Sequence, residues 1–162
     1  EVERLLAVGA SVVVCPIEMW WEGVPLPHGS LYPPKPCVFR GGRTYFEPVG
    51  HGERLRADVG RVMRSKSKLI HDDRKGFEAY LATQIRYARQ QIERVCRREA
   101  SLRDVLATRT PIMMAAEPLY SLIARGGALA GRVGLVYALD RLIAHAVKLR
   151  LGLSRRLRPS GG

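Results

Sequence analysis

The sequence predicts an α/β chain, strand-bearing in residues 1–73 and mainly helical in residues 74–162. Three observations predict it. The helical run VERLLAV gives way at Gly9 to the β-branched run SVVVC. Five of the ten prolines crowd into residues 23–36. At Lys75 the apolar spacing turns to three- and four-residue steps, the mark of an amphipathic helix.

The first step, residues 2–8 into SVVVCPIEMWW, is a helix followed by a strand. Trp20 and Trp21 are adjacent on that strand and point to opposite faces, so at most one packs in the core and the other is free to stack on a sugar or a base. GVPLPHGSLYPPKP is too rich in proline for a central strand and reads as an extended surface loop carrying Tyr32, the kind of long ordered loop on which function often sits. CVFR and TYFEPV, joined by GGR, read as a hairpin. The run RLRADVGRVMRSKSKLIH alternates poorly and is expected to hold a short helix and then a strand ending near Ile70.

From Lys75 to about Arg98, Phe77, Leu81, Ile85, Ala88, Ile92 and Val95 form one apolar stripe opposite Arg86, Arg89, Gln90, Arg94 and Arg97. Asp72 or Asp73 is placed to cap this helix, a contribution of roughly 1 kcal/mol. Ser101-Leu-Arg-Asp opens a short helix, and Thr110-Pro111 a further one. Residues 110–153 are strongly apolar, yet Glu117, Arg125, Arg132 and Asp140 interrupt them, and no uninterrupted apolar run reaches the ~18 residues of a bilayer span. Two helices about a glycine-rich turn fit better. The apolar face over Leu135, Leu139, Leu142, Ala146 and Leu149, with Arg155, Arg156 and Arg158 beyond it, suits the surface of an anionic membrane.

The 27 basic against 15 acidic residues, net +12, predict an anionic partner: nucleic acid, an acidic leaflet or a phosphorylated substrate. Cys15, Cys37 and Cys96 lack the paired spacing of a zinc site and read as reduced core thiols. GGALAGRVG follows a helix and lacks the Lys-Ser/Thr pair of a phosphate-binding loop, so helix packing accounts for it better. The chain opens at Glu1 with neither an initiator Met nor a signal peptide, and reads as cut from something longer.

Two clusters carry candidate chemistry. In Gly50-His51-Gly52-Glu53 the glycines let the backbone approach a ligand, imidazole can ligate a divalent ion, and Glu53 or Glu47 can take a proton from a hydroxyl; the same residues also read as a polar surface turn. In His71-Asp72-Asp73-Arg74 capping explains a carboxylate, and leaves His71 and Arg74 unexplained; an Arg beside two carboxylates is also an ordinary solvated ion pair.

In this order, PIEMWWEG, LYPPKPCVFRGGRTYFEPVGHGERL, KLIHDDRKGFEAYLATQIRYA and YSLIARGGALAGRVGLVYALDRL resemble the C-terminal half of a family 2 glycosyltransferase, the inverting group with a GT-A fold. The resemblance covers roughly residues 15–150 and rests on the succession of motifs. It implies that residues 1–73 are the acceptor-side part of a GT-A-like mixed sheet and residues 74–162 a membrane-associating extension. It also implies a nucleotide-sugar donor, a lipid-linked or glycan acceptor, a divalent cation (Mg or Mn) shared with a donor-binding half, and no nucleic acid partner. Its setting is the cytoplasmic face of the cell membrane, in bacterial polysaccharide or glycolipid biosynthesis.

By resemblance Glu53, and after it Glu47, is the base, His51 lies by the metal and diphosphate, and Arg40 by the sugar-phosphate cleft. Trp20, Trp21, Tyr32, His71 and Arg74 fall at the substrate. Gly52 separates His51 from Glu53, a departure from the family's His-Glu pair, and no Asp-x-Asp element occurs in the 162 residues. A chain of this kind is expected to be inactive alone. The alternatives from other classes are a basic nucleic-acid-binding module using residues 54–103, and a non-catalytic membrane-surface scaffold built on residues 111–153.

Overall fold

The computed structural model describes residues 1–40, 46–49, 52–55 and 60–157, with only the backbone described at 46–49 and 52–55. It has mixed α/β content and separates into two compact units, residues 1–25 with 31–73 and residues 26–30 with 74–162.

The first unit begins with α1 (Val2–Ala7), after which Gly9, at φ 94°, turns the chain into β1 (Val12–Cys15). Pro16 interrupts the apolar run because it offers no N–H to a ladder, and β2 (Ile17–Trp21) resumes beyond it in a different sheet. The expected single strand is thus two. β1 lies between antiparallel β4 (Lys35–Phe39) and parallel β7 (Val62–Arg64). β2 lies between antiparallel β3 (Val24–Pro25) and parallel β8 (Leu69–Asp73). The strands containing Pro25 and Pro36 are both edge strands, where a missing N–H is tolerated. Leu5, Ala10, Val13 and Cys15 form a core on which Leu6, Cys37, Val38 and Met63 pack.

Three expectations for this unit are corrected. CVFR does not pair with TYFEPV: β4 pairs with β1, and the hairpin consists of β5 (Phe46–Val49) and β6 (Gly52–Leu55). Among the described residues of 54–71 there are strands and no helix. The last strand continues past Ile70 to Asp73, so both aspartates belong to the strand; Lys75 stands at the N-cap and makes no side-chain cap bond.

The second unit is helical. α2 (Gly76–Cys96) follows the predicted period, burying Tyr80, Ala88, Ile92 and Val95, although Phe77 at its start is exposed. α3 (Leu102–Arg109) opens with a complete capping box, Ser101 Oγ accepting from Asp104 N–H and the Asp104 carboxylate accepting from Ser101 N–H. α4 (Ile112–Leu119) has Pro111 at its N-cap; Thr110 instead ends α3, its hydroxyl donating to Leu106 O at 2.9 Å. A π-helical turn (Tyr120–Ala124), Gly126 at φ 70° and a 3-10 turn (Gly127–Ala130) lead into α5 (Gly131–Leu157), which packs along α2, α3 and α4.

The glycines of α5 act by close approach. A Cβ at Gly134 would collide with Gly127 O, and one at Gly152 with Thr108 O. Of the cysteines expected in the core, Cys15 is buried, Cys37 is half-buried and Cys96 is exposed. Burial, then the neighbouring Cys37, pushes the Cys15 thiol up.

Candidate functional site

The parallel ladder between β2 and β8 joins two stretches that are far apart in sequence, matching Met19 to His71, Trp20 to Asp72 and Trp21 to Asp73. Trp-Trp-Glu-Gly folds here into a two-residue hairpin turn with Glu22 at φ 51° and Gly23 at φ 77°, the conformation that suits tightly paired strands. The HDD stretch holds that turn. Gly23 N–H donates to Asp72 Oδ1 at 3.2 Å, and Glu22 N–H donates to Asp73 O at 3.0 Å. Trp21 is buried, whereas Trp20 is half-buried and its indole N–H donates to Glu18 Oε1 at 3.2 Å. The hydrogen bond from Trp20, followed by that from Lys68, lowers the Glu18 carboxyl below its ordinary range.

The proline loop adds a third segment. Tyr32 stacks on His71 with ring centroids 5.0 Å apart, and Lys35 Nζ lies 4.4 Å from the Tyr32 centroid. His71 Nε2 is buried and has no hydrogen-bond partner among the described residues. An ammonium, a phenol ring and an imidazole thus stand in line. The flanking cation and imidazole are groups that can bond the hydroxyl or phosphate oxygens of a sugar.

The Arg40 guanidinium donates to Leu6 O at 2.9 Å and closes the end of α1. Arg74 is exposed at the start of the second unit. Glu47 pairs with Arg54, and Glu53 with Pro48, on adjacent rungs of the β5–β6 ladder. His51 lies outside the described residues. Among the described residues no group of three or more His, Cys, Asp and Glu side chains could hold a metal ion.

A polar cluster inside the second unit escaped the sequence reading. Glu117 Oε2 accepts from His145 Nε2 at 3.1 Å and is also paired with Arg103. Burial by itself would raise the Glu117 carboxyl, but the hydrogen bond and charge of His145, joined by those of Arg103, hold it at about 2. Burial pushes the nearby Lys148 ammonium down. On the α2 side, Tyr80 donates to Asp140 O at 2.7 Å and accepts from Arg141 Nη2 at 3.0 Å, and burial, partly offset by Arg141, takes its phenol up to about 12.

In α5 polar side chains are thus buried alongside Tyr137, Ala138 and Ala144 while part of its leucine stripe is exposed. Asp140 and His145 are buried, with Arg141 and Lys148 half-buried, whereas Leu135, Val136, Leu139, Leu142 and Leu153 are exposed. The leucine stripe faces outward as its spacing and flanking cations predict at Leu135, Leu139 and Leu142, whereas Ala146 and Leu149 are half-buried. The available signal for the polar cluster was the series Asp140, Arg141, His145 and Lys148, which keeps the same three- and four-residue steps on the opposite face. No protein-family model, curated protein or solved structure matches this chain.

Proposed function

We propose that this chain is the acceptor-side and membrane-facing portion of an inverting, nucleotide-sugar-dependent glycosyltransferase of GT-A type. The observation that carries the reading is the convergence of three of the resembling segments: PIEMWWEG and KLIHDDRK are neighbouring parallel strands, and LYPPKP lays Tyr32 across His71. Motifs that matched only in order along the sequence thereby share one location. The exposed leucines of α5 support the membrane-facing half, since Leu135, Leu139 and Leu142 directed outward suit lipid better than water.

In this reading the acceptor sugar lies at the Tyr32–His71 stack, with Lys35 and His71 bonding its oxygens, whereas Trp20 is on the other face of the β2–β8 ladder and does not meet it. A carboxylate, Glu53 first and Glu47 second, removes the proton from the acceptor hydroxyl. The hydroxyl oxygen then forms its bond to the anomeric carbon while the bond from that carbon to the nucleoside diphosphate breaks, inverting the configuration. The nucleotide itself, with the shared divalent cation, belongs to a donor-binding half that carries the Asp-x-Asp element. The acceptor is lipid-linked or a glycan close to the anionic cytoplasmic face of the membrane.

The test joins the chain to a donor-binding half and measures sugar transfer from nucleotide sugars to extracted membrane lipids. Transfer by the parent, with loss in Glu53→Gln or Glu47→Gln, is the expected result. Vesicle binding without transfer from any nucleotide sugar would leave only the membrane scaffold.

A further inference from the structure

We infer that the corner at residues 119–132 is a lipid-inserting wedge, with Ile123 and Leu129 entering the acyl region of one anionic leaflet and Arg125 and Arg132 holding its phosphates. This rests on the membrane-facing part of the reading above and is independent of sugar transfer.

The corner is built to stay rigid. Pro118 weakens the helical ladder, the π-helical turn follows, and Gly126 at φ 70° and Gly131 at φ 63° turn the backbone. The stretches Ile112–Ala124 and Gly127–Leu157 consequently diverge by 70°. Residues 26–30 strap the inside of the bend. Ser121 Oγ donates to Gly29 O at 2.7 Å, Gly29 N–H donates to Arg125 O at 2.8 Å, and a Cβ on Gly127 would come within 2.8 Å of Ser121 O. With Ser121 and Gly127 fixed inward, the apolar side chains between and beside them cannot retract. Ile123 is 75% exposed and Leu129 81%, with Leu119 and Tyr120 also in solvent.

Charge selects the occupant. Between Glu117 and Asp140 the only ionised side chains are Arg125 and Arg132. The two bounding carboxylates face inward, with Glu117 11% and Asp140 8% exposed. The corner therefore offers water an apolar tip, two cations and no anion, the composition that partitions into an anionic lipid interface. No single helix among the described residues is long and apolar enough to cross a membrane; Ile112–Ala124 and Gly127–Leu157 are so only as a pair bent by 70°, the form of a stretch that enters a leaflet and turns back.

The experiment measures binding of the full chain to phosphatidylcholine vesicles with and without phosphatidylglycerol. Ile123→Asp and Leu129→Asp are each expected to weaken binding to the anionic vesicles at least about tenfold. Leu102→Asp on α3, where the leucine is similarly exposed at 74%, stays within about twofold of the parent. Arg125→Glu with Arg132→Glu removes the preference for phosphatidylglycerol. Circular dichroism verifies that each variant folds, and Ile123→Gln and Leu129→Gln, which add no charge, replace any that does not.

Parent-like binding by the Ile123 and Leu129 variants would overturn the wedge and leave surface association through α5 standing. A parent that binds neither vesicle overturns the wedge together with the membrane-facing half of the proposed function. A self-associating parent that the Ile123 or Leu129 changes render monomeric without lipid also overturns it, because a second copy then covers the corner. Sugar transfer, assayed separately, does not enter this outcome.

Discussion

Tyr32 lies stacked on His71, 5.0 Å between ring centroids at an interplanar angle of 29°, although one belongs to a proline-rich loop and the other to the last strand of its unit. The contact joins the most irregular segment of the unit to one of its regular ladders. The loop between β3 and β4, with Pro27, Pro33 and Pro34, loses little entropy on ordering, and a single aromatic contact of ~0.5–1.5 kcal/mol then goes far toward fixing it.

Tyr32→Ala removes both the stack and the seat of Lys35, and Tyr32→Phe retains both. In the transfer assay, Tyr32→Ala is expected to raise the acceptor KM about three- to tenfold with a smaller change in kcat, while Tyr32→Phe remains near the parent. Equal KM values for the two variants would show that the ring does not meet the acceptor.

Asp72 is expected to stabilise the turn between β2 and β3. Replacing it with Ala leaves the Gly23 N–H without its acceptor at 3.2 Å, a loss of about 1 kcal/mol in urea unfolding of the parent chain. Asp72→Asn, which keeps an acceptor oxygen, is expected to recover most of it. A helix-capping role would instead lower the helical signal of α2.

Much of this architecture is legible in residue spacing. The α1–β1 step, the stripe of α2, the capping box of α3 and the glycine-rich break before α5 all follow from local chemistry that the sequence carries within a few residues. The errors arise where partners are remote. Pro16 divides an apolar run between two sheets, β4 chooses β1 over the nearer TYFEPV, and the His-Asp-Asp stretch becomes a strand because β2 supplies its ladder. Long-range pairing overrides the local reading in each case. At the candidate site, Trp20, Tyr32 and His71 could be singled out by type, whereas Lys35 became visible only through its position over Tyr32.

The Glu117–His145 pair makes the second unit sensitive to acid. A carboxyl held at about 2 instead of 4.5 contributes roughly 3 kcal/mol of stability. Because the folded value lies below the unfolded one, that contribution is fully present above about pH 4.5 and is lost as pH falls toward 2. Far-UV circular dichroism should show helix loss across this window. Glu117→Gln is expected to lower stability at pH 7 by about 2–3 kcal/mol and flatten the acid limb; an unchanged acid limb would mean that another carboxyl governs it.

Gly152→Ala separates two opposing effects. On an open helix the change stabilises by up to ~1 kcal/mol. Here the new Cβ meets Thr108 O, so thermal unfolding is expected to show a net loss of ~1–3 kcal/mol as α5 is pushed from α3. A gain would mean that the two helices do not pack at that distance in solution.

The central claim is that this chain supplies the acceptor side of sugar transfer, and its most direct test is the transfer rate of the chain joined to a donor-binding half, with Glu53→Gln beside Glu47→Gln. The predicted result is transfer by the parent to a membrane-extracted acceptor with inversion at the anomeric carbon, and a fall of about 10²–10⁴-fold in whichever variant removes the base. Undiminished transfer by both variants would contradict the assigned base, and absence of transfer from every nucleotide sugar would contradict the claim itself.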